Sequence, residues 1–170
     1  MMELAIQHEH EVEFRDKLGE LVVIRPYRHS KDRDRLVNMY VNFDPDDRCL
    51  GLPPLTKEGI EEWIDYLAEE GFGLVAEHDG RIVGHVAVVP TKDNREVELD
   101  IFVIRDHQNR GIGQELLRCM IEFCRKAGYE GISLLTTRWN VKALRIFRKF
   151  GFVIQNPNGF DEYVMYLKLR

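Results

Sequence analysis

Gln108-Asn109-Arg110-Gly111-Ile112-Gly113-Gln114 is the stretch that decides how this 170-residue chain is read. Upstream of it, Val97, Leu99, Ile101 and Val103 alternate with Glu96, Glu98, Asp100 and Phe102, the two-residue period of a strand over 96–104. Downstream, an amphipathic helix is expected from about Gly111 to Ala127, closed by Gly128. Glycines at such a strand-to-helix passage let the backbone come close to a bulky anion and leave first-turn N–H groups without partners. With the positive end of the helix dipole, those donors form a cradle for a phosphate group. Gly-x-Gly alone would equally serve a helix entry with no ligand, so the flanking chain has to arbitrate.

Working outward, Leu21 to Ile24 reads as a strand stopped by Pro26, and Ser30 as the N-cap of a helix to about Phe43. Asp44-Pro45-Asp46-Asp47 breaks that helix. Thr56 caps a second one ending near Glu70, with Ile60, Trp63, Ile64 and Leu67 on one stripe. Asp79-Gly80 between two apolar runs predicts a hairpin, because that dipeptide accepts the positive φ of a tight turn. Beyond the central helix come a buried strand over 132–136, a helix over 140–150 ended by Gly151, and two strands paired across the 156–159 loop. Residues 1–18 read as a polar N-terminal lead-in, where His8 and His10 read either as metal ligands or, with the weight of the reading, as part of a frayed terminus. Residues 19–170 read as one α/β domain.

Composition narrows the function classes. Charged residues are 31% and hydrophobic residues 44%, as in ordinary globular chains. No apolar run approaches the ~20 residues that span a bilayer, and the charged N-terminus has no secretory core. The net charge of −5 argues against sequence-independent nucleic-acid binding. It is unevenly spread: residues 1–100 carry 12 basic and 23 acidic side chains, residues 101–170 carry 12 and 6. A basic half suits a polyanionic ligand and an acidic half a cationic one, although solvated helix faces produce the same asymmetry. Cys49, Cys119 and Cys124 have no redox or zinc spacing, so reduced thiols in a cytoplasm and no metal are expected.

Three phosphate-binding readings compete for the 108–114 run. A P-loop needs Lys and Ser/Thr after a longer glycine spacing, and a dinucleotide fingerprint needs a small residue where Leu116 stands. The third is the pyrophosphate loop of an acetyl-CoA enzyme. The run resembles the Gln/Arg-x-x-Gly-x-Gly/Ala motif of the GCN5-related N-acetyltransferase (GNAT) superfamily, with Val103 eight residues before the first glycine. Asn140-Val141-Lys142-Ala143, continuing to Gly151-Phe152, resembles that family's second motif. The order of elements is also similar, and the resemblance covers roughly Val22 to Leu169, bringing protein-lysine acetyltransferases of bacteria and archaea within its range.

The resemblance implies a mixed, mostly antiparallel sheet of about six or seven strands with helices on both faces, and acetyl-CoA as co-substrate. It implies a pantetheine arm pairing with the strand at Ile101, Phe102 and Val103, a main-chain N–H near Val103 polarising the thioester carbonyl. It implies a pyrophosphate held by main-chain donors around Gln108, Asn109, Arg110, Gly111, Ile112, Gly113 and Gln114. Asn140 would contact the cofactor, Ala143 would leave room for the arm, and Phe147 would flank it. Lys142, Arg145 and Arg148 would reach the outer phosphate or merely form a solvated helix face.

Acetylating an amine of pKa near ~10.4 requires removal of a proton at neutral pH. By parity Glu96, Glu98 and Asp100 share one strand face. Glu98, five residues before Val103, occupies the place of the family's glutamate and is the expected general base, with Glu96 second. Many members carry a tyrosine acid where this chain has Phe147, which has no proton to give; Tyr163 or Tyr166 could substitute. The chain is therefore expected to acetylate a primary amine, a protein lysine or a small cationic amine, as a monomer or homodimer. The alternative is a non-catalytic acetyl-CoA-binding regulator on the same fold. No nucleic-acid or membrane partner is expected.

Overall fold

The protein, seen in a computed structural model, is described over residues 11–170; His8, His10 and the start of the lead-in lie outside the described residues. The strands are β1 (Val12–Arg15), β2 (Leu21–Pro26), β3 (Phe72–His78), β4 (Arg81–Pro90), β5 (Glu96–Val103), β6 (Gly131–Thr137), β7 (Val153–Ile154) and β8 (Glu162–Lys168). The helices are α1 (His29–Val41) and α2 (Lys57–Glu70) before β3, α3 (Ile112–Ala127) between β5 and β6, and α4 (Val141–Lys149) before β7. Among the described residues these eight strands join one sheet in the order β1-β2-β3-β4-β5-β6-β8-β7. Every neighbouring pair is antiparallel except β5 and β6, which α3 connects as a crossover.

The sheet exceeds the expected six or seven strands because the lead-in is not all outside it. Val12 and Phe14 pack on the core while Glu13 and Arg15 face water, so four residues suffice for an edge strand on β2. The hairpin turn forms as expected, with Asp79 at φ 50° and Gly80 at φ 74°. Thr56 caps α2 as expected, its hydroxyl oxygen accepting from the Gly59 N–H at 3.0 Å. Ser30 does not cap α1. The helix starts two residues earlier, with Arg28 at the cap position, and Asp32 reaches back to accept from the Arg28 N–H at 2.8 Å.

Two apolar layers cover the sheet. On one face α3 lays Leu116, Leu117 and Met120 against Val22, Leu74 and Val86; Gly84 permits this, since a Cβ there would lie 2.9 Å from Leu116 Cδ1. On the other face α1 and α2 bring Leu36, Tyr40, Ile60 and Ile64 against Val75 and Ile82. The feature that positions the site is the brevity of the parallel pairing. β5 and β6 are in register only from Glu96 with Gly131 to Glu98 with Ser133. Past Glu98 the two strands part, and a slot opens through the sheet.

Candidate active site

The slot exposes one edge of β5. The Ile104 N–H donates to the Val83 carbonyl at 3.0 Å, and hydrogen-bonding direction alternates along an antiparallel strand, so Phe102 and Asp100 also turn their backbone groups to β4. Ile101 and Val103 then present theirs to the slot. The Val103 carbonyl accepts from Gln108 Nε2 at 3.0 Å, which leaves the Val103 N–H and both Ile101 groups for an extended ligand. Side chains sort by the same alternation. Ile101 and Val103 point toward α3, while Glu98, Asp100 and Phe102 point toward α1 and α2, where Phe102 meets Tyr40, Phe43 and Trp63.

At the end of the slot Asn109 (φ 60°) and Gly111 (φ 91°) take left-handed backbone before α3 begins, the kind of turn in which successive N–H groups can converge on an anion. The loop is held from behind. Its Arg110 carbonyl accepts from the Lys17 N–H at 3.0 Å, and the Arg110 guanidinium is turned away onto Asp16 and Glu20 of the β1–β2 turn. Arg110 can therefore serve an anion through its backbone and not its side chain. Buried His107 braces the same loop, sharing a 2.9 Å hydrogen bond with His78. Ile112 is buried under the loop as the first core residue of α3.

A cavity of about 540 Å³ joins loop and slot, bordered by Ile101, Val103, Gln108, Asn109, Gly111, Gly113, Gln114, Asn140, Ala143 and Phe147. The structure thus gathers most residues expected to hold a cofactor around one space. Phe102, Arg110 and Ile112 do not border it: the Phe102 ring lies on the opposite face, the Arg110 side chain is turned away, and Ile112 is buried in the core. Lys142 borders the cavity, whereas Arg145 and Arg148 do not; Lys17 is a basic neighbour that the sequence did not suggest. The segment after α1 also closes over this cavity through Phe43, Asp46, Asp47 and Cys49. Asp44 and Asp47 are engaged by Arg105, and Asp47 by Gln108, so these carboxylates brace the loop instead of facing a cationic acceptor.

The three carboxylates of β5 have separate fates. Glu96 accepts from the Tyr166 hydroxyl at 2.8 Å, which commits both groups to each other beside Gly131. Glu98 is exposed. Asp100 is half-buried with no hydrogen-bond partner among the described residues; burial, with the neighbouring Glu98 charge, pushes its pKa up to about 6. Of the two expected substitutes for an acid, Tyr166 gives its hydroxyl to Glu96 and Tyr163 packs partly buried against the core; Phe147 itself is buried beside Phe152. Among the described residues no helix is long and apolar enough to cross a membrane, and no group of three or more His, Cys, Asp or Glu could hold a metal ion.

The family model described as the acetyltransferase (GNAT) family matches residues 33–152. Human N-acetyltransferase 8 is 31% identical over 110 residues, 61% of this chain and 45% of that protein. The chain spans less than half the length of the curated relatives it matches. The GNAT domain of S. lividans PAT superposes with a TM-score of 0.78 at 20% identity, covering 94% of this chain and 97% of that one. The protein yncA from Salmonella typhimurium, solved with its cofactor acetyl-CoA, superposes at 0.68 with 20% identity, covering 88% and 94%. At such identities these likenesses speak for the fold. The family match carries further, because it takes in the parting strand, the glycine loop and the second motif together, and the chain belongs to the GNAT acetyltransferase family.

Proposed function

We propose that the chain transfers the acetyl group of acetyl-CoA to a primary amine. The observation that carries this reading is the parting of β5 from β6 directly beside a loop with left-handed backbone at Asn109 and Gly111 that opens a helix. The pyrophosphate fits the loop and the first turn of α3, where backbone donors and the helix dipole favour an anion. The pantetheine arm fits the edge of β5, its amides pairing with Ile101 and Val103. The Val103 N–H then lies on the side where the thioester oxygen gathers charge.

The acceptor approaches from the α1/α2 face, on which Asp100 and Glu98 stand. The ammonium loses one proton to a carboxylate, its nitrogen bonds to the carbonyl carbon, the carbon–sulfur bond breaks, and the second nitrogen proton passes through water to the leaving thiolate. A thiolate of pKa near ~8.5 leaves without a dedicated acid, which is consistent with Phe147 in the tyrosine position. Glu98 was the expected base, yet Asp100 combines enclosure with a pKa near the working range, so we assign the base to Asp100 and a supporting charge to Glu98. The free thiols of Cys49, Cys119 and Cys124 accord with a reducing, cytoplasmic setting.

Mixing protein, acetyl-CoA and an amine panel, and following thiol release, tests the transfer. Release dependent on amine supports it; tight CoA binding without release for any amine would establish the regulator instead. The cofactor half has its own check. Gly111→Val forces a β-branched residue into left-handed backbone, a cost of about 1–2 kcal/mol that the loop relieves only by turning its donors away. CoA affinity measured by calorimetry should fall about tenfold or more.

A further inference from the structure

A second cavity, about 410 Å³, lies on the acceptor face and takes no part in the cofactor site. Its floor follows from strand register. The Tyr27 N–H donates to the Gly73 carbonyl at 2.9 Å, Gly73 pairs with Ala87, and Ala87 pairs with Asp100. Directly paired residues share a face, so Tyr27, Gly73, Ala87 and Asp100 form one row across four strands. The two small residues leave a trough, with Tyr27 at one end and Asp100 beside the other. Leu36, Ile64 and Leu67 roof it.

The ring of His85 turns one nitrogen into the trough. His85 is 3% exposed, and its Nδ1 is shared with the Tyr40 hydroxyl at 2.7 Å. Its Nε2 has no hydrogen-bond partner among the described residues and leans over Gly73, where a Cβ would lie 3.3 Å away. Burial holds this imidazole neutral, with a pKa of about 3. A neutral ring that gives its Nδ1 proton to Tyr40 offers an Nε2 lone pair to the trough, and one that accepts from the Tyr40 hydroxyl offers an Nε2 N–H; either way a hydrogen-bonding atom faces the space, able to pair with an amine nitrogen.

We propose that the trough over Gly73 and Ala87 is the acceptor pocket, and that it takes a small monoamine with an apolar or aromatic body, His85 Nε2 steering the amine toward Asp100. This rests on the acetyl-transfer reading and narrows it. The volume falls in the range of small-molecule sites. The apolar roof disfavours a polyamine, whose further charges would be stripped of water there. Tyr27, beside the exposed rim at Arg28, His29 and Ser30, stands three strand spacings, about 14 Å, from Asp100, which a lysine's four-carbon stem on a protein surface does not span. Asp65, the acidic group beside that rim, is already held by Arg33 and His29.

The test compares 2-phenylethylamine, spermidine and a lysine-containing peptide as acceptors, with Gly73→Val and Ala68→Leu as pocket-filling variants. Ala68 lies on the α2 side of the cavity and is partly exposed, so its replacement leaves the sheet untouched if Gly73→Val disturbs folding. We expect 2-phenylethylamine to be the best acceptor, and its KM to rise at least about tenfold in either folded variant with CoA affinity unchanged. A higher kcat/KM for spermidine or the peptide, or an unchanged KM in both variants, overturns the pocket. If wild-type protein binds CoA but acetylates nothing, the transfer reading fails. Calorimetry with 2-phenylethylamine alone then decides the pocket: uptake lost in the variants upholds it, and no uptake overturns it.

Discussion

Asp100→Asn is expected to lower kcat for amine acetylation by about 10²–10⁴-fold while leaving CoA affinity intact. Asn keeps the size of the side chain and removes only its capacity to take a proton. In the unaltered protein kcat/KM should rise with pH through about 6, the value to which burial and Glu98 push the Asp100 carboxyl. Glu98→Gln should be mild, and its signature is a direction. Removing a neighbouring negative charge makes ionisation of Asp100 easier, so the acid limb of the profile moves to lower pH.

The same variant carries a stability signature of opposite sign. A carboxyl whose pKa is raised by folding binds its proton more tightly in the folded state. It therefore opposes folding increasingly as pH climbs from the unfolded value through the folded one. Asp100→Asn should then stabilise the protein at neutral pH, by at most about 3 kcal/mol, and by little at pH 4. Urea melts at the two pH values measure this. An inactive and stabilised protein marks a group held for chemistry; loss of stability would mark a structural carboxylate. Abolished turnover in Glu98→Gln with full activity in Asp100→Asn would return the base to Glu98.

What the sequence reveals here is what local chemistry dictates. The alternation over 96–103 and the glycines at 111 and 113 specify a strand, an anion loop and a helix because each signal acts within a few residues. Asp79-Gly80 is legible for the same reason. Long-range effects were not. Parity puts Glu96, Glu98 and Asp100 on one face, but only packing shows that Tyr166 claims Glu96, that water reaches Glu98 and that Asp100 is enclosed. Ser30 looks like a cap, yet Asp32 takes that work because Arg25 from β2 holds it in place. The trough over Gly73 has no linear pattern at all, since its floor is assembled from four strands.

Asp32→Ala should cost about 3–5 kcal/mol of stability, the range for breaking a buried ion pair by removing one partner. Asp32 is 1% exposed, accepts from Arg25 at 2.8 Å through each oxygen, and also accepts from the Arg28 N–H. Its loss leaves the Arg25 guanidinium, itself 8% exposed, with Glu77 at 2.6 Å and the Pro26 carbonyl as remaining partners. Glu77 moderates the damage, which places the expected value near the lower end. Burial alone would raise the Asp32 pKa, but the bonds from Arg25 and Arg28 prevail and hold it below the usual carboxylate range. The charge therefore stabilises the fold above the unfolded pKa of about 3.9, and the benefit is lost as pH falls through the lower folded value. The stability gap between the unaltered protein and Asp32→Asn should be wide at pH 7 and shrink below pH 4. The function should divide along the same line. The Arg25–Asp32 pair ties the turn carrying Tyr27 to the sheet, so the acceptor KM should rise in Asp32→Asn, while CoA affinity, set by a loop anchored on Asp16 and Lys17, stays constant.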